Sequence, residues 1–218
     1  MNAIDDKKVG FWETGNHGLP FFNYTGKLPA HAKMKNGKKA QLPEDPWFLL
    51  GNYQLTLFTH VSGEYEILSG QRGWGRLNQG DKPNSGSNSA TLKGEGKEYE
   101  LTGIHSLSSD PTKCKRLFGC GFADYTYQAG NITCKRNISV KPSTTPYNGT
   151  PAFLVTILLE NHGVTPLTVT YKEAVTANFE VPQQQRHQPG QRLIKYTNSL
   201  SIDKEKKIVK ASINVISD

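Results

Sequence analysis

The stretch CGFADYTYQAGNITCKRNISV, residues 120–140, holds two runs of alternating apolar and polar side chains around the dipeptide Gly130-Asn131. Alternation with a period of two is typical of β-strands, and a Gly-first dipeptide suits the type II′ turn of a tight hairpin. Such a loop pairs residues symmetrically about it, which places Tyr127 opposite Cys134. The sequence therefore predicts an antiparallel hairpin with one largely apolar face and one polar face.

Short runs rich in β-branched and aromatic residues, separated by Gly, Pro, Asn and Ser, continue on both sides of this hairpin, and helical periodicity is scarce. This pattern predicts an all-β protein, a large antiparallel two-sheet β-sandwich. The nearly continuous apolar run at 152–159 predicts a strand buried on both faces or in the sandwich interior. The predicted strands are 47–60, 64–69, 99–104, 120–128, 132–140, 152–161, 167–178, 192–197 and 207–216.

Two regions differ in composition from these strands. Residues 1–46 carry many lysines and few apolar anchors, which predicts an irregular N-terminal wrapping segment ahead of a β-sandwich domain at 47–218. Residues 82–96 are rich in Gly, Ser and Asn, which predicts a long surface loop. A chain of 218 residues is long enough to bury a core without disulfides.

The charge balance is basic, with 26 Lys+Arg against 19 Asp+Glu and a net charge of +7. The lysine runs contain no interleaved aromatic residues, so solvated loops are favoured and no nucleic acid partner is predicted. No segment approaches the roughly 20 apolar residues that cross a bilayer, so no membrane partner is predicted. The first residues lack a signal peptide, which indicates a cytoplasmic protein if Met1 is native and a periplasmic or secreted one if a leader was removed.

Residue spacing gives no support for a metal site or for covalent catalysis. Cys114, Cys120 and Cys134 do not have zinc-ligand spacing, and they are expected to be buried, free thiols. The six histidines are dispersed, and no Gly-x-Ser-x-Gly motif or protease-like cysteine signature occurs. No metal, no cofactor and no catalytic residue is therefore predicted.

The most unusual local cluster is GQRGWGR, residues 70–76. Tryptophan stacks on the C–H face of sugar rings, and arginine forks hold hydroxyls or phosphates. Arg72, Trp74 and Arg76 are therefore the candidate substrate-binding residues, for a carbohydrate or a phosphate. The competing interpretation is a sandwich loop packed by its own tryptophan, and both stay open.

Glycoside hydrolysis needs two carboxylates that flank the scissile bond, but no acid of this chain sits in a signature that marks it as catalytic. Alternating acids such as Glu64 and Glu66 are more typical of a solvated strand face. The acids on or beside predicted strands are Glu64, Glu66, Asp124, Glu160, Glu173 and Glu180.

Three segments together resemble the N-terminal β-sandwich of the glycoside hydrolase family 94 phosphorylases, the group of cellobiose and chitobiose phosphorylases. They are LGNYQL at 50–55 with GEY at 63–65, RLFGCGFADY at 116–125 with GNITCKR at 130–136, and the strand pair around the Asn-His-Gly turn at 161–163. The resemblance covers roughly residues 47–180. The Gly-Gly-Tyr of the family is replaced here by Ser62-Gly63-Glu64-Tyr65.

The resemblance implies a galactose-mutarotase-like, supersandwich-type fold and a non-catalytic role. In the family, the general acid lies in an α/α toroid that follows the sandwich, and the sandwich packs on this toroid, shapes its site and often joins a dimer interface. The implied partners are an oligosaccharide, a catalytic α/α toroid domain and a second copy, and this chain alone is expected to be inactive. The alternative is a stand-alone, lectin-like carbohydrate-binding protein.

Overall fold

The structure, a computed structural model, describes residues 9–28, 46–69, 88–145, 148–176 and 195–216. These ranges are built from antiparallel strands joined by short turns, with one 3-10 turn at Leu107–Ser109. They contain no helix with the length and apolar character needed to span a membrane. The strands are β1 Gly10–Thr14, β2 Pro20–Tyr24, β3 Trp47–Gly51, β4 Leu55–His60, β5 Tyr65–Ser69, β6 Asn88–Gly94, β7 Lys97–Glu100, β8 Cys114–Gly119, β9 Phe122–Ala129, β10 Ile132–Val140, β11 Phe153–Asn161, β12 Thr170–Val175, β13 Lys195–Asp203 and β14 Ile208–Ile216.

The largest sheet has six strands in the order β1-β2-β8-β9-β10-β11. Two three-stranded sheets, β3-β4-β5 and β12-β6-β7, supply its opposing layer, and β13 pairs with β14. The inner face of the large sheet meets the opposing layer through aromatic side chains: Phe48 of β3 stacks on Phe118 of β8 with ring centroids 3.9 Å apart. The prediction of an all-β, antiparallel sandwich is confirmed.

The hairpin of β9 and β10 has the predicted register. Ala129 pairs with Ile132 and Tyr127 with Cys134 across β9 and β10. Gly130 has a φ of 65°, whereas Asn131 is not among the residues of positive φ, which is the pattern of a type II′ turn. The first strand begins at Phe122 and not at residue 120, because Cys120 and Gly121 form the turn from β8.

The predicted strand 47–60 is in fact a hairpin, β3 and β4. The side-chain oxygen of Asn52 accepts hydrogen bonds from the backbone N–H groups of Gln54 and Leu55, at 2.8 and 3.0 Å. A local bond of this kind stabilises a turn in competition with the sheet ladder. The apolar residues on either side of Asn52 led to the prediction of one strand where there are two.

Strands also form where irregular structure was predicted. β1 and β2 lie within the segment 1–46, and β6 lies within the predicted loop 82–96. In β6 the alternate residues Ala90 and Leu92 are fully buried, so the Gly- and Ser-rich stretch ends in a core strand. β8, which was not predicted, completes the centre of the large sheet.

The apolar run 152–159 was expected to be buried on both faces or in the sandwich interior, and burial on both faces is wrong. β11 is the last strand of the six-stranded sheet, and Leu154 and Leu158 are 62% and 51% exposed. Val155 and Ile157, on the other face, pack against the core. Only one face of this strand is covered, because among the described residues no strand lies beyond it and no layer lies on its outer side.

A candidate carbohydrate pocket on the sandwich

A surface pocket of about 300 Å³ opens where the turn before β5 meets the segment that follows β7. Thr102 and Ser106 are buried and form its floor, whereas Glu100, Ile104 and His105 are exposed at its rim. Glu64 reaches it from the other side. A pocket of this size lies at the lower end of the range for small-molecule sites. Its lining residues are Glu64, Glu100, Thr102, Gly103, Ile104, His105 and Ser106.

Backbone hydrogen bonds fix the segment 101–106 against both of its neighbours. Leu101 N–H donates to the carbonyl of Ala90 in β6 at 2.9 Å, and Gly103 N–H donates to the carbonyl of Ser62 at 2.9 Å. The hydroxyl oxygen of Thr102 accepts from Ala90 N–H at 3.0 Å, which leaves its O–H hydrogen available to a ligand. Gly103 has a φ of 104°, so the turn at the pocket requires a residue without a β-carbon.

A chain of side-chain hydrogen bonds orients Glu64. Ser62 Oγ donates to Glu64 Oε2 at 2.7 Å, and His60 Nδ1 lies 2.7 Å from Ser62 Oγ. The ring of Trp47 packs on that of His60, with centroids 4.7 Å apart. Ser62 is completely buried, so its hydroxyl cannot reach a substrate as a nucleophile. It positions a carboxylate at the pocket.

Two fully buried arginines on the inner face of the large sheet support the two walls of the pocket. Arg136 of β10 donates to the carbonyl of Gly63 at 2.8 Å, directly beside Glu64. Arg116 of β8 donates to the carbonyl of Ser108 at 2.7 Å, close to the floor of the pocket. Register places both arginines opposite Tyr125, so they lie in one row across three adjacent strands.

The charges of the two arginines are compensated in different ways. Arg136 forms an ion pair with Glu173 of β12 at 2.5 Å, and its guanidinium lies over the rings of Tyr65 and Tyr125. Arg116 binds two backbone carbonyls and lies over the ring of Tyr24 at 4.8 Å. Burial lowers the pKa of Arg116.

The pKa of Glu173 reflects a balance of opposing effects. Burial disfavours the carboxylate, but hydrogen bonds and the charge of Arg136, together with hydrogen bonds from Tyr171 and Tyr65, outweigh burial and lower the pKa. A carboxylate held in this way is ionised at neutral pH, and both of its oxygens are bound by Arg136 and Tyr171. We therefore assign Glu173 to the core and not to the pocket.

The chemistry of the pocket favours a polyhydroxylated, uncharged ligand. The carboxylates of Glu64 and Glu100 accept hydrogen bonds from hydroxyls, and the Thr102 hydroxyl can donate one to a ligand. The Ser106 hydroxyl is used within the protein, because it donates to the carbonyl of Gly103 at 2.6 Å and accepts from Ser108 N–H at 3.1 Å. Ile104 offers an exposed apolar surface to the C–H face of a sugar ring. Two carboxylates disfavour a phosphate at this position, because like charges repel strongly where water is partly excluded.

The three predicted substrate-binding residues, Arg72, Trp74 and Arg76, lie outside the described residues, and their role stays a prediction. Of the acids that were singled out in the sequence and that the structure describes, Glu64 alone lines the pocket. Asp124 accepts from Asn137, and burial raises its pKa; Glu160 pairs with Lys135. Glu180 also lies outside the described residues.

Sequence reasoning did not identify the other side of the pocket. Thr102 falls in a stretch that was predicted as a strand, 99–104, whereas β7 ends at Glu100. His105 and Ser106 follow this stretch and were not singled out. Gly103 within this stretch was the available signal, because an isolated glycine in a strand pattern often marks a turn. The pocket forms because segments distant in the chain pair with each other, and a local sequence pattern does not reveal such pairing.

The cysteines are only partly as predicted. All three are free thiols, and Cys114 and Cys134 are buried, but Cys120 is exposed in the turn between β8 and β9. Burial raises the pKa of Cys114 and of Cys134 to about 12 each. Among the described residues, no three His, Cys, Asp or Glu side chains are grouped closely enough to hold a metal ion.

Comparison with protein-family models and with curated proteins finds no match to this chain. The resemblance to the family 94 phosphorylases therefore stays a prediction, carried by the three segments in which it was recognised. The fold and the pocket stand on the structure alone.

Proposed function

We propose that this chain is a non-catalytic β-sandwich of a carbohydrate-active enzyme, a glycoside phosphorylase or hydrolase, that binds carbohydrate and shapes the active site of a separate catalytic domain. The observation that carries the proposal is the pocket between Glu64 and the segment 101–106. Its two carboxylates, the Thr102 hydroxyl and its apolar rim suit a sugar, and its walls are held by buried arginines. The family resemblance supports the same role.

The exposed apolar face of the β13–β14 hairpin supports an accessory role. Leu200, Ile202 and Val209 lie on one face of it by register and are 64%, 63% and 62% exposed. A two-stranded hairpin is marginally stable in water by itself, and contiguous exposed apolar side chains typically mark a surface that another protein covers. A catalytic domain packed on this face would provide that cover.

The pocket also favours a second candidate, a stand-alone carbohydrate-binding protein. The hydrogen-bonding groups of the described lining lie close together in this chain, so a lectin-like protein is expected to bind sugar without a catalytic domain. The two candidates differ in what happens when a catalytic domain is supplied: an accessory domain forms a complex with it, whereas a lectin-like protein does not.

We expect this chain to bind oligosaccharides in a glycan panel and Glu100→Gln to weaken the binding about tenfold, which corresponds to about 1.4 kcal/mol. The substitution removes a charged acceptor of ligand hydroxyls at the rim of the pocket. Isothermal titration with the best glycan of the panel measures the effect. Glu98→Gln is the matched control, because Glu98 lies on β7, is exposed and does not line the pocket.

The Trp74→Ala variant tests the competing site. Binding lost in this variant and unchanged in Glu100→Gln would place the sugar at residues 70–76. The absence of binding to every glycan of the panel would contradict the proposed function.

A further inference from the structure

Among the described residues, β11 is an edge strand with none of the features that usually protect one. It spans nine residues, Phe153–Asn161, and lies at the end of the six-stranded sheet. Residues 153–159 contain no charged residue and no proline, and Leu154 and Leu158 are exposed. Edge strands are normally blunted by lysine, proline, a bulge or a covering segment, because their unpaired backbone groups pair with other strands.

The hydrogen-bond alternation shows which groups β11 presents at its open edge. The closing pair Ala129–Ile132 of the tight β9–β10 hairpin is a hydrogen-bonded pair, so the even-numbered residues of β10 bond to β9 and the odd-numbered ones to β11. His162 N–H, which donates to the carbonyl of Asn131 at 2.8 Å, follows the same alternation. Register pairs the odd residues of β10 with the even ones of β11. The N–H and C=O groups of residues 153, 155, 157 and 159 therefore point away from the sheet.

The sequence of this strand is complementary to itself in antiparallel orientation. When Thr156 is placed opposite Thr156 of a second copy, Val155 falls opposite Ile157, Leu154 opposite Leu158 and Phe153 opposite Leu159. Every pair is apolar or is a Thr–Thr pair, and both kinds stabilise antiparallel strands. The one acid of the strand, Glu160, falls opposite residue 152 and is already paired with Lys135 at 2.6 Å.

We propose that β11 is a homodimerisation strand, which pairs with β11 of a second copy across a two-fold axis at Thr156 and joins the two sheets into one of twelve strands. A second copy fits better than an unrelated strand because, over residues 153–159, the register pairs apolar side chains with apolar ones and threonine with threonine, and it uses the outward-pointing residues 153, 155, 157 and 159. The one charged residue, Glu160, falls opposite Ala152 at the end of the pairing and keeps its partner Lys135. A single strand pair buries less than the roughly 1,600 Å² of a standard stable interface. The dimer is therefore reversible and concentration-dependent.

The first test is sedimentation equilibrium of the full chain over a range of concentrations. The wild-type protein dimerises, and Thr156→Lys weakens the dimer at least about tenfold, because it places two lysines directly opposite each other. Thr170→Lys, an exposed threonine on the edge strand β12, is the matched control and leaves the dimer unchanged. A protein that stays monomeric at every concentration, or a dimer that is insensitive to Thr156→Lys, overturns the proposal.

The second test fixes the register and does not depend on loss of function. Thr156→Lys and Thr156→Glu are each monomeric, and an equimolar mixture of them forms a heterodimer, because residue 156 meets itself only in the proposed register. With Cys120→Ser as background, Thr156→Cys forms an intermolecular disulfide on mild oxidation, since a non-hydrogen-bonded pair has Cα atoms about 4.5 Å apart, within the range of disulfides. A mixture that stays monomeric and a cysteine that does not cross-link both contradict this register. A disulfide between residues 154 of two Leu154→Cys chains would also overturn it, because the proposed register places residue 154 opposite residue 158.

Discussion

The Glu173→Gln variant will be less stable than the wild-type protein by about 3–5 kcal/mol at neutral pH, the usual cost of breaking a buried ion pair. Arg136 is completely buried, and Glu173 supplies its ion pair across the two layers of the sandwich. A glutamine accepts one hydrogen bond but leaves the charge of the guanidinium uncompensated in the core. Urea unfolding at pH 7, with the midpoint and the slope both fitted, measures the loss.

The pH dependence of the same variant gives an independent check. The pKa of Glu173 is lowered in the folded protein, so its contribution to stability is present above the unfolded pKa of about 4.5 and is lost as the pH falls through the folded pKa. The difference in stability between wild type and Glu173→Gln is therefore constant above about pH 5 and shrinks below it. A difference that grew on acidification would contradict the assignment.

Glu160→Gln is the control for Glu173→Gln. The pair between Lys135 and Glu160 has a similar distance of 2.6 Å, but its side chains are 47% and 38% exposed. Solvent screens such pairs, and their contribution is typically below about 1 kcal/mol. Equal effects of the two substitutions would mean that the burial of Arg136 has no energetic consequence.

Phe118→Ala will destabilise the protein by about 3–5 kcal/mol, the range for removing a buried phenylalanine ring. Phe118 stacks on Phe48 with an interplanar angle of 5° and meets Tyr125 edge-on at 5.8 Å, so it joins β8 to both layers. The alanine leaves a cavity that rigid neighbours on two sides cannot fill. Thermal and urea unfolding monitored by tyrosine and tryptophan fluorescence measure this loss.

Phe11→Ala is the matched control, because Phe11 carries the same ring on β1 and is exposed. Its removal costs less than about 1 kcal/mol, since little surface is buried there. If Phe118→Ala lowered the free energy of unfolding as little as Phe11→Ala does, the stacked pair of Phe48 and Phe118 would not hold the two layers together.

The sequence predicts those parts of this fold that depend on short-range rules. The β9–β10 register follows from Gly130-Asn131 and from the alternation beside it, and both are local. The break at Asn52 also has a local cause, but the apolar residues around it resemble one long strand. β11 was misassigned because a strand with one open face has the same composition as a buried one, and only the sheet order distinguishes them.

The pocket and the buried arginines are not predictable by the same reasoning. Arg116 lies on the same strand face as Cys114 and Phe118, and Arg136 lies on the same face as Cys134 and Ile138. Arginine is rarely buried, so its presence at such positions does not by itself reveal how its charge is accommodated. What permits their burial is a set of carbonyls and tyrosine rings from other strands, together with Glu173. These partners are distant in the chain, so their arrangement becomes visible only when the sheets are assembled.

The unequal burial of the three thiols makes the protein a reporter of its own unfolding. Only Cys120 meets solvent in the folded state, whereas Cys114 and Cys134 are buried and stay protonated at neutral pH. A maleimide dye will therefore attach once per folded chain, at the β8–β9 turn, without any engineered cysteine. In denaturant the number of dye molecules attached per chain rises to three, and the rate of that rise measures the opening of the central strands β8 and β10.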